Sequence, residues 1–340
     1  VSDLYGDHTD FNLPQVARRR RGLDYHAVRT SLSGVELPYR YFSLLRLLGA
    51  EETRCAGLAA VPGAWNGAGG VRSFRFPEGE PLQPGFVSVR FTDRNYLFGA
   101  KAAASKTFGS GWSLSAAADA RTGRDMHVEG VFTNALTAGL RLARRFGEGH
   151  ELALLCIVPP STRGTRLSSS EEAFSLTGDR LYNPAWGFQD GRVRNSRVRR
   201  ETVPLAVVAY EIPLTPATSL AAAFGAEAGV SKYSMLDWYD ARTPMPDNYR
   251  YLPSYAGDRE TELAWRSNDT RFTQVDWDEL IRRNRMAGGH AVYALEDRAE
   301  RLCNLSLNAL FTTDADARLT FRYGIALRRE NTRSYKQMRD

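Results

Sequence analysis

The 340-residue sequence has little cysteine and no long apolar run. Its three cysteines, Cys55, Cys156 and Cys303, lie about a hundred or more residues apart, and none belongs to a CxxC pair. This spacing argues against a disulfide framework and against a zinc site. The longest apolar windows, such as Leu152–Pro160, have about half of the roughly 18 residues that a membrane-spanning helix needs, so helical spans are excluded.

Lysine is also scarce, because only four of the 45 basic residues are lysine, and the formal net charge is +6. The basic total and the run Arg18–Arg21 could indicate a nucleic-acid partner. A total charge says little about where the charge lies, and arginine-rich coding with a polar interior accounts for the same count. We therefore expect no nucleic-acid partner.

Motifs for catalysis are missing as well. The sequence contains no P-loop, zinc motif, nucleophile elbow or Ser/His/Asp pattern, and its five histidines are scattered. These motifs are what phosphate, metal and acyl-transfer chemistry require. We expect neither an enzyme nor a bound cofactor or metal.

What the sequence does have is alternation of period two, which is typical of half-buried β-strands. In residues 318–328 the apolar residues Leu319, Phe321, Tyr323, Ile325 and Leu327 lie on one face, with polar or small residues between them. Residues 303–311 alternate in the same way, and turn-prone residues join the two runs. The pattern predicts a β-hairpin.

The same pattern predicts nine strands in all. They are expected at Phe86–Phe91, Asn95–Phe108, Trp112–Arg121, Phe132–Phe146, Glu151–Pro159, Arg200–Ile212, Ser219–Val230, Leu302–Thr312 and Ala317–Arg328. Short turns follow the second, fourth, sixth and eighth strands, at residues 109–111, 147–149, 213–216 and 313–316. Longer connections cover residues 122–131, 160–200 and 231–299.

Short turns at one end and long loops at the other are the layout of outer-membrane β-barrels. One face of each strand is small or apolar, and the other is polar, as a wet interior requires. Aromatic residues cluster near the short turns, where an interfacial girdle would lie. They are Phe108, Trp112, Phe146, Tyr210, Phe311 and Phe321. The alternative at this point is a two-sheet sandwich with aromatic residues at its core ends.

The first part of the chain differs from the rest. We expect about one helical turn at Leu44–Leu48 and a short strand at Arg72–Arg75, separated by the Gly- and Ala-rich stretch Gly57–Gly70. The predicted division is a small mixed α/β domain in residues 1–82 and a partial barrel in residues 83–340. Since the chain begins with Val1 and ends in a polar run, we expect it to be a fragment.

Several stretches carry a resemblance to a known family. They are YNPAWGFQDGRVRNSRV at Tyr182–Val198, LDWYDARTPMPDNYRYLPSY at Leu236–Tyr255, QVDWDEL at Gln274–Leu280, TDRNYL at Thr92–Leu97 and WNGAGGVRSFR at Trp65–Arg75. The chain resembles the TonB-dependent receptors of gut Gram-negative anaerobes, the group that includes the SusC-like transporters. The resemblance covers nearly the whole chain.

The resemblance implies a barrel of about 22 strands with a plug domain inside it. The chain would then hold the C-terminal part of the plug and the first nine strands, in a receptor for active nutrient uptake in the outer membrane of a Gram-negative bacterium. The implied partners are TonB, acting through an N-terminal box that is missing here, outer-membrane lipid, and a surface lipoprotein. Gly67, Gly69 and Gly70 would form a glycine turn before the last plug strand, where backbone packs closely on the barrel wall.

Ligand contacts would come from aromatic residues in the two long loops, since aromatic faces stack on sugar rings or apolar ligands. The candidates are Trp186, Phe188, Trp238, Tyr239, Tyr249, Tyr251 and Tyr255. The alternative is that these side chains pack the loops onto each other. Asp276–Glu279 is predicted to begin a helix, with a catalytic carboxylate pair or a calcium site as the competing interpretation.

Two other functions stay open on the sequence. A passive porin or other binding barrel would have no plug and an open lumen. A soluble carbohydrate-binding β-sandwich would have no membrane-facing surface. The ligand of a receptor also stays open among glycans, peptides, siderophores and cobalamin.

Overall fold

The computed structural model of the chain describes residues 27–55, 61, 64–65, 67–76, 85–288 and 290–340. Two sheets organise them, a four-stranded sheet and an eleven-stranded sheet. The expected domain boundary at residues 82 and 83 and the run Arg18–Arg21 lie outside the described residues.

The small sheet contains β1 (Arg29–Leu32), β2 (Val35–Glu36), β3 (Glu51–Cys55) and β4 (Val71–Arg75), in the order β2-β1-β4-β3. Helix α1 (Phe42–Leu47) follows β2 and buries Leu44 and Leu45. The expected short helix and the strand at Arg72–Arg75 are both present, shifted by one or two residues. We call the described residues between 27 and 76 the plug, after the domain that the resemblance implies.

The large sheet is an antiparallel up-and-down arrangement. Its strands are β5 (Gly85–Phe91), β6 (Phe98–Thr107), β7 (Trp112–Thr122), β8 (Phe132–Phe146), β9 (His150–Val158), β10 (Ser161–Gly164), β13 (Val198–Thr202), β14 (Leu205–Thr215), β15 (Thr218–Trp238), β16 (Tyr293–Asp314) and β17 (Thr320–Met338). The connection between β10 and β13 contains a separate hairpin of β11 (Trp186–Gln189) and β12 (Arg192–Asn195). β11 and β12 pair with each other in a two-stranded sheet.

The registers reduce the eleven strands of the sheet to the nine that were predicted. On β8, Ala138 pairs with Val158 of β9, and Ala135 pairs with Ser161 of β10, so the register is unbroken across Pro159-Pro160. β9 and β10 are therefore one strand, interrupted because proline has no N–H to donate to the ladder.

β13 and β14 are likewise one strand, interrupted at Val203-Pro204. Thr202 pairs with Val230 and Leu205 with Glu227, again in one register. The predicted strand Arg200–Ile212 is therefore wrong at both ends, since it begins at Val198 and runs to Thr215, and the turn after it falls at residues 216–217.

The last three strands are also longer than predicted at the loop end. β15 continues to Trp238 and β16 begins at Tyr293, so the long connection is residues 239–292 rather than 231–299. The apolar alternation stops at Lys232 and Arg301, because the outward positions turn polar there. The hydrogen-bonded ladder nevertheless continues. Trp238 accordingly ends a strand and does not lie in a loop.

The plug lies against the polar face of the large sheet. Glu227 and Asn308 on that face contact plug residues, whereas Phe224 and Leu307 on the opposite face are 45% and 46% exposed. A β-sandwich buries its apolar faces against each other. Here the apolar face points outward, so the fold is a partial barrel and not a sandwich.

The outward apolar band has about the height that is found in outer-membrane barrels. On β15 every outward residue from Leu220 to Val230 is apolar, and the next one is Lys232. Ten steps of about 3.3 Å at a tilt of about 45° give a height of about 23 Å, close to the roughly 25 Å apolar band of outer-membrane barrels.

Aromatic rings border this band at the short-turn end, as predicted. Phe146 stacks on Tyr210 with ring centroids 6.4 Å apart, and Phe311 stacks on Tyr323 at 5.3 Å. The Arg144 guanidinium lies 5.3 Å from the centroid of the Trp112 ring.

The long connections are loop A, residues 165–197, and loop B, residues 239–292. Loop A holds α2 (Glu171–Thr177), and loop B holds α3 (Pro253–Ala256), α4 (Arg259–Arg266), α5 (Thr270–Thr273) and α6 (Trp277–Met286). Among the described residues, no helix combines the length and the apolar character needed to cross a lipid bilayer.

Candidate functional site: the plug seat and the loop layer

Tyr41, just before α1, anchors the plug to the wall of the large sheet. Its side chain is fully buried, and its hydroxyl lies 2.8 Å from the Val203 carbonyl oxygen and 2.9 Å from Glu227 Oε1. One hydroxyl hydrogen is thus shared between two acceptors. Burial, and then the negative charge of Glu227, raise the pKa of Tyr41 well above its ordinary value, so the hydroxyl stays protonated.

The carboxylate of Glu227 is held from several sides. Asn304 Nδ2 donates to Glu227 Oε2 at 3.1 Å, and Arg40 Nε lies 3.7 Å from Glu227 Oε1. Arg40 also forms an ion pair with Glu201. A buried charge needs such partners, because burial of an unpaired carboxylate is costly. The wall and the plug therefore share one polar network.

A second contact between the plug and the wall is made by the tight turn between β1 and β2. Asn308 of the wall is buried, and its Nδ2 donates to the Ser33 carbonyl oxygen at 3.3 Å. Trp65 Nε1, also of the plug, donates to Asn308 Oδ1. Gly34 has φ +79°, and a Cβ there would lie 2.0 Å from Asn308 Nδ2. Only glycine fits this turn against the wall.

Wall glycines make room where apolar plug residues touch the sheet. A Cβ at Gly225 would lie 2.5 Å from Val35 Cγ1, and a Cβ at Gly139 would lie 2.6 Å from Leu44 Cδ2. Sequence alternation alone gives no reason for glycine at these strand positions. The reason is the close approach of the plug.

Two ion pairs join the plug and the wall near the margins of their interface, which we call the plug seat. Arg75 Nη2 lies 3.0 Å from Glu211 Oε2, and Arg328 Nη1 lies 2.7 Å from Glu36 Oε2. All four side chains are at least one-third exposed, so each pair adds at most about 1 kcal/mol. They orient the plug more than they hold it.

Within the plug, Glu52 gathers three arginines. It forms ion pairs with Arg46, Arg54 and Arg72, and the Arg72 guanidinium also lies 4.3 Å from the centroid of the Phe42 ring. Burial works to raise the pKa of Glu52, but hydrogen bonds from the three arginines outweigh it and lower the pKa to about 2. This cluster ties α1 to β3 and β4.

The glycine turn packs closely against the plug itself. Gly67 pairs with Gly70, and a Cβ at Gly67 would lie 2.5 Å from the Ala27 carbonyl oxygen. Gly69 approaches the Ala27 backbone as well, with a contact distance of 3.1 Å for an added Cβ. The close approach of Gly67 and Gly69 is therefore to the plug's own chain before β1, and packing of this turn on the barrel wall stays a prediction.

At the loop end, loops A and B form one packed layer. Trp265 of α4 is fully buried and meets the Tyr182 ring edge-on at 5.8 Å. Tyr182 donates through its hydroxyl to the Thr273 carbonyl oxygen at 2.6 Å. Ser169 Oγ donates to Asp247 Oδ2 at 2.9 Å, and burial raises the pKa of the Asp247 carboxyl above its ordinary value.

The seven aromatic candidates fall into three groups. Trp186 is buried with its ring 5.3 Å from that of Phe188, and Tyr249 meets Tyr255 edge-on at 5.3 Å. The Tyr251 hydroxyl donates to the Thr243 carbonyl oxygen at 2.9 Å, which ties it into loop B.

The third group, Trp238 and Tyr239, lies at the end of β15. No ring contact joins one group to another among the described residues. Phe188, Tyr249 and Tyr255 are exposed enough to meet a ligand, whereas Trp186 and Tyr251 are held by the loops themselves.

A polar cluster that the sequence patterns did not indicate lies beside Tyr239, on the inner face above the plug. Lys336 Nζ lies 2.8 Å from Glu296 Oε2 and 3.1 Å from Asp237 Oδ2. The Tyr239 hydroxyl donates to Glu296 Oε1 at 2.6 Å. These residues lie beyond the predicted strand ends, and they would have been found by continuing the inward alternation of β15–β17.

The acidic run at residues 276–279 begins a helix, as predicted. The Asp276 side chain accepts from the Glu279 N–H, which caps α6. Glu279 pairs with Arg282 and Arg283, whose hydrogen bonds lower its pKa to about 2. Within the described part of the chain, no group of three or more His, Cys, Asp or Glu side chains is arranged to hold a metal ion.

No protein-family model matches the chain, and no curated protein is significantly similar to it in sequence. Among solved structures, the open form of the ferric-catecholate import receptor Fiu from Escherichia coli K12 has a TM-score of 0.56 at 8% identity, covering 91% of this chain and 43% of that one. The closed form of Fiu gives 0.49 at 10% identity, covering 85% and 37%.

The siderophore receptor PiuA from Acinetobacter baumannii gives a TM-score of 0.41 at 10% identity, covering 91% of this chain and 53% of that one. The chain therefore spans less than half the length of Fiu, and about half that of PiuA. The likeness to the open form of Fiu shows that the chain has the fold of part of an import receptor.

Proposed function

We propose that this chain forms the plug and the first nine strands of a TonB-dependent receptor that takes up a nutrient across the outer membrane of a Gram-negative bacterium. One observation carries the proposal most. The sheet turns its apolar face outward over about the height of a membrane, while its polar face holds a folded plug.

The plug distinguishes this proposal from a passive porin. A porin leaves its lumen open to water, whereas here Tyr41, Asn308 and their partners seat a folded unit on the inner face. Opening a path requires those contacts to break. TonB, pairing with an exposed N-terminal box by β-augmentation, would supply the work.

The loop layer is the proposed outer binding surface. Tyr249 and Tyr255 present exposed, mutually braced rings, which suit stacking on a sugar ring or on an aromatic ligand. Phe188 and Tyr239 would add contacts from loop A and from the inner-face cluster. In a SusC-like receptor, a surface lipoprotein would cover the same layer.

The membrane part of the proposal is tested on the full-length protein by cell fractionation and gel mobility with and without boiling. A barrel is expected in the outer-membrane fraction with heat-modifiable mobility. Recovery in the soluble fraction with unchanged mobility would defeat it. Uptake is then measured with and without TonB, for glycan, peptide, ferric siderophore and cobalamin probes. Uptake that persists without TonB would favour the porin.

The loop assignment has its own test. Replacing both Tyr249 and Tyr255 by Ala is expected to weaken binding of the transported ligand roughly 30-fold, because each stacked ring contributes about 1 kcal/mol. The matched control is Phe272→Ala, which removes another exposed ring from loop B. Equal affinities for the double variant and the wild-type protein would remove these tyrosines from the binding surface.

A further inference from the structure

A patch of basic residues lies on the outer face of β15–β17, where the apolar band ends at the loop end. It consists of Lys232, Arg301, Arg329 and Arg333. Their orientation follows from their neighbours. Asn308 and Arg328 alternate with the patch residues and contact the plug, so the odd-numbered residues of β16 and β17 point away from it.

The register places the patch residues side by side. Arg301 is directly opposite Arg333, and Arg329 is directly opposite Leu305. Directly opposite residues have Cβ atoms about 5 Å apart, and like charges in that position destabilise the sheet. Lys232 stands one outward position beyond Val230, which pairs with Arg301. An anion between these side chains would remove the repulsion.

The chain offers the three arginines no such anion. Among the described residues, none of Arg301, Arg329 and Arg333 forms an ion pair with a carboxylate. The outward carboxylate on β16, Asp297, is already bound by Arg200, whose Nη2 lies 2.5 and 2.7 Å from its two oxygens. All three arginines are exposed.

Four of the six other strands leave the apolar band at uncharged outward residues: Thr122 on β7, Asn134 on β8, Pro160 after β9 and Pro204 before β14. Among the described residues, the unpaired basic charge at this level therefore lies on β15–β17. A general requirement for solubility would spread charge over all the strands. A local cluster instead fits a particular partner.

Resting on the proposed function, we propose that this patch binds the phosphate groups of an anionic lipid in the surrounding membrane leaflet. Lipid headgroups lie at the edge of the apolar band, which is the level of Arg301, Arg329 and Arg333. A guanidinium matches a phosphate with two parallel hydrogen bonds. The half-buried Tyr335, outward and next to Arg333 along β17, would pack at the same interface.

The test is native mass spectrometry of the full-length receptor in mild detergent. The probes are diphosphoryl lipid A and the same lipid with both phosphates removed. The variant carries Arg301→Gln, Arg329→Gln and Arg333→Gln. A matched control carries Arg192→Gln, Arg259→Gln and Arg285→Gln, three exposed arginines on loop A's hairpin and in loop B.

We expect the wild-type protein and the control to retain diphosphoryl lipid A, and the patch variant to bind it roughly tenfold more weakly. The dephosphorylated lipid should bind the wild-type protein no more tightly than it binds the patch variant. Equal retention by variant and wild type would overturn the proposal, as would complete displacement by millimolar inorganic phosphate, since a free anion would then suffice. Heat-modifiable mobility in the same samples reports the barrel independently, so a wild-type protein that is heat-modifiable but does not retain the lipid refutes only the patch.

Discussion

Replacing Tyr41 by Phe tests the seat that holds the plug. The change keeps the buried ring and removes the one hydroxyl that lies 2.8 Å from the Val203 carbonyl oxygen and 2.9 Å from Glu227. Glu227 keeps Asn304 as a donor, so it is not left without a partner. A lost hydrogen bond to a charged acceptor costs about 1.5–3 kcal/mol, and we take about 2 kcal/mol here.

The cost should appear as easier local opening of α1. The Leu48 N–H donates to the Leu44 carbonyl oxygen at 2.9 Å at the end of this helix, and its hydrogen exchange reports that opening. A loss of about 2 kcal/mol corresponds to roughly 25-fold faster exchange. The measurement is hydrogen exchange with mass spectrometry on the full-length receptor.

The matched control is Tyr251→Phe, which removes a hydroxyl hydrogen bond from loop B. It should leave exchange in α1 unchanged. Unchanged exchange at Leu48 in Tyr41→Phe would refute the seat. Faster exchange spread evenly over β6–β9 would also refute it, because the hydroxyl would then support the whole sheet and not the plug.

Three further predictions follow from particular contacts. Gly34→Ala should destabilise the plug by about 1–2 kcal/mol, because of the positive φ and the clash with Asn308. Protease should then cleave faster between β1 and β2, and cleavage at the wild-type rate would contradict this packing. Because the pKa of Glu52 is depressed to about 2, its contribution of about 3 kcal/mol is present above about pH 4.5 and is lost as the pH falls towards 2. Glu52→Gln should make the melting temperature of the plug less dependent on pH below about pH 4.5. An unchanged pH dependence would exclude this carboxylate as its cause. Trp265→Ala should cost the loop layer about 3–5 kcal/mol and expose loop B to protease while heat-modifiable mobility persists.

The strand order was predictable because the apolar outer face and the polar inner face of the sheet impose opposite polarities on alternate residues. In Leu319–Leu327 that alternation is complete, and β17 lies there. Beyond the apolar band the outward residues of β15 become Lys232 and Ser234, so the signal ends near Val230 while the hydrogen-bonded ladder continues to Trp238. Strand ends outside the band are set by loop packing, for which the local sequence has no period.

The plug seat could not be predicted for a related reason. Tyr41 and Glu227 are 186 residues apart, and no local pattern relates two positions that meet only after the sheet curves around the plug. Gly225 shows the same limit, since within β15 it resembles a weak strand residue and is explained only by Val35 across the interface. The aromatic loop residues were found by type, but their grouping into separate pairs depends on how loops A and B fold together.

The strength of the seat bears on how a receptor of this kind would open. Two charged contacts, the buried one of Tyr41 with Glu227 and the part-buried one of Arg40 with Glu201, contribute about 1.5–3 kcal/mol each, and Asn308 with Ser33 adds about 1 kcal/mol. With small additions from the exposed ion pairs, the polar contacts of the seat are worth of the order of 5 kcal/mol. Held by these contacts alone, the plug would be out of its seat in only about one molecule in several thousand, and the apolar contacts of Val35 and Leu44 with the wall lower that fraction further. Passive flux through the proposed pore would therefore be negligible, which is why uptake would need a ligand and a pulling partner to act together.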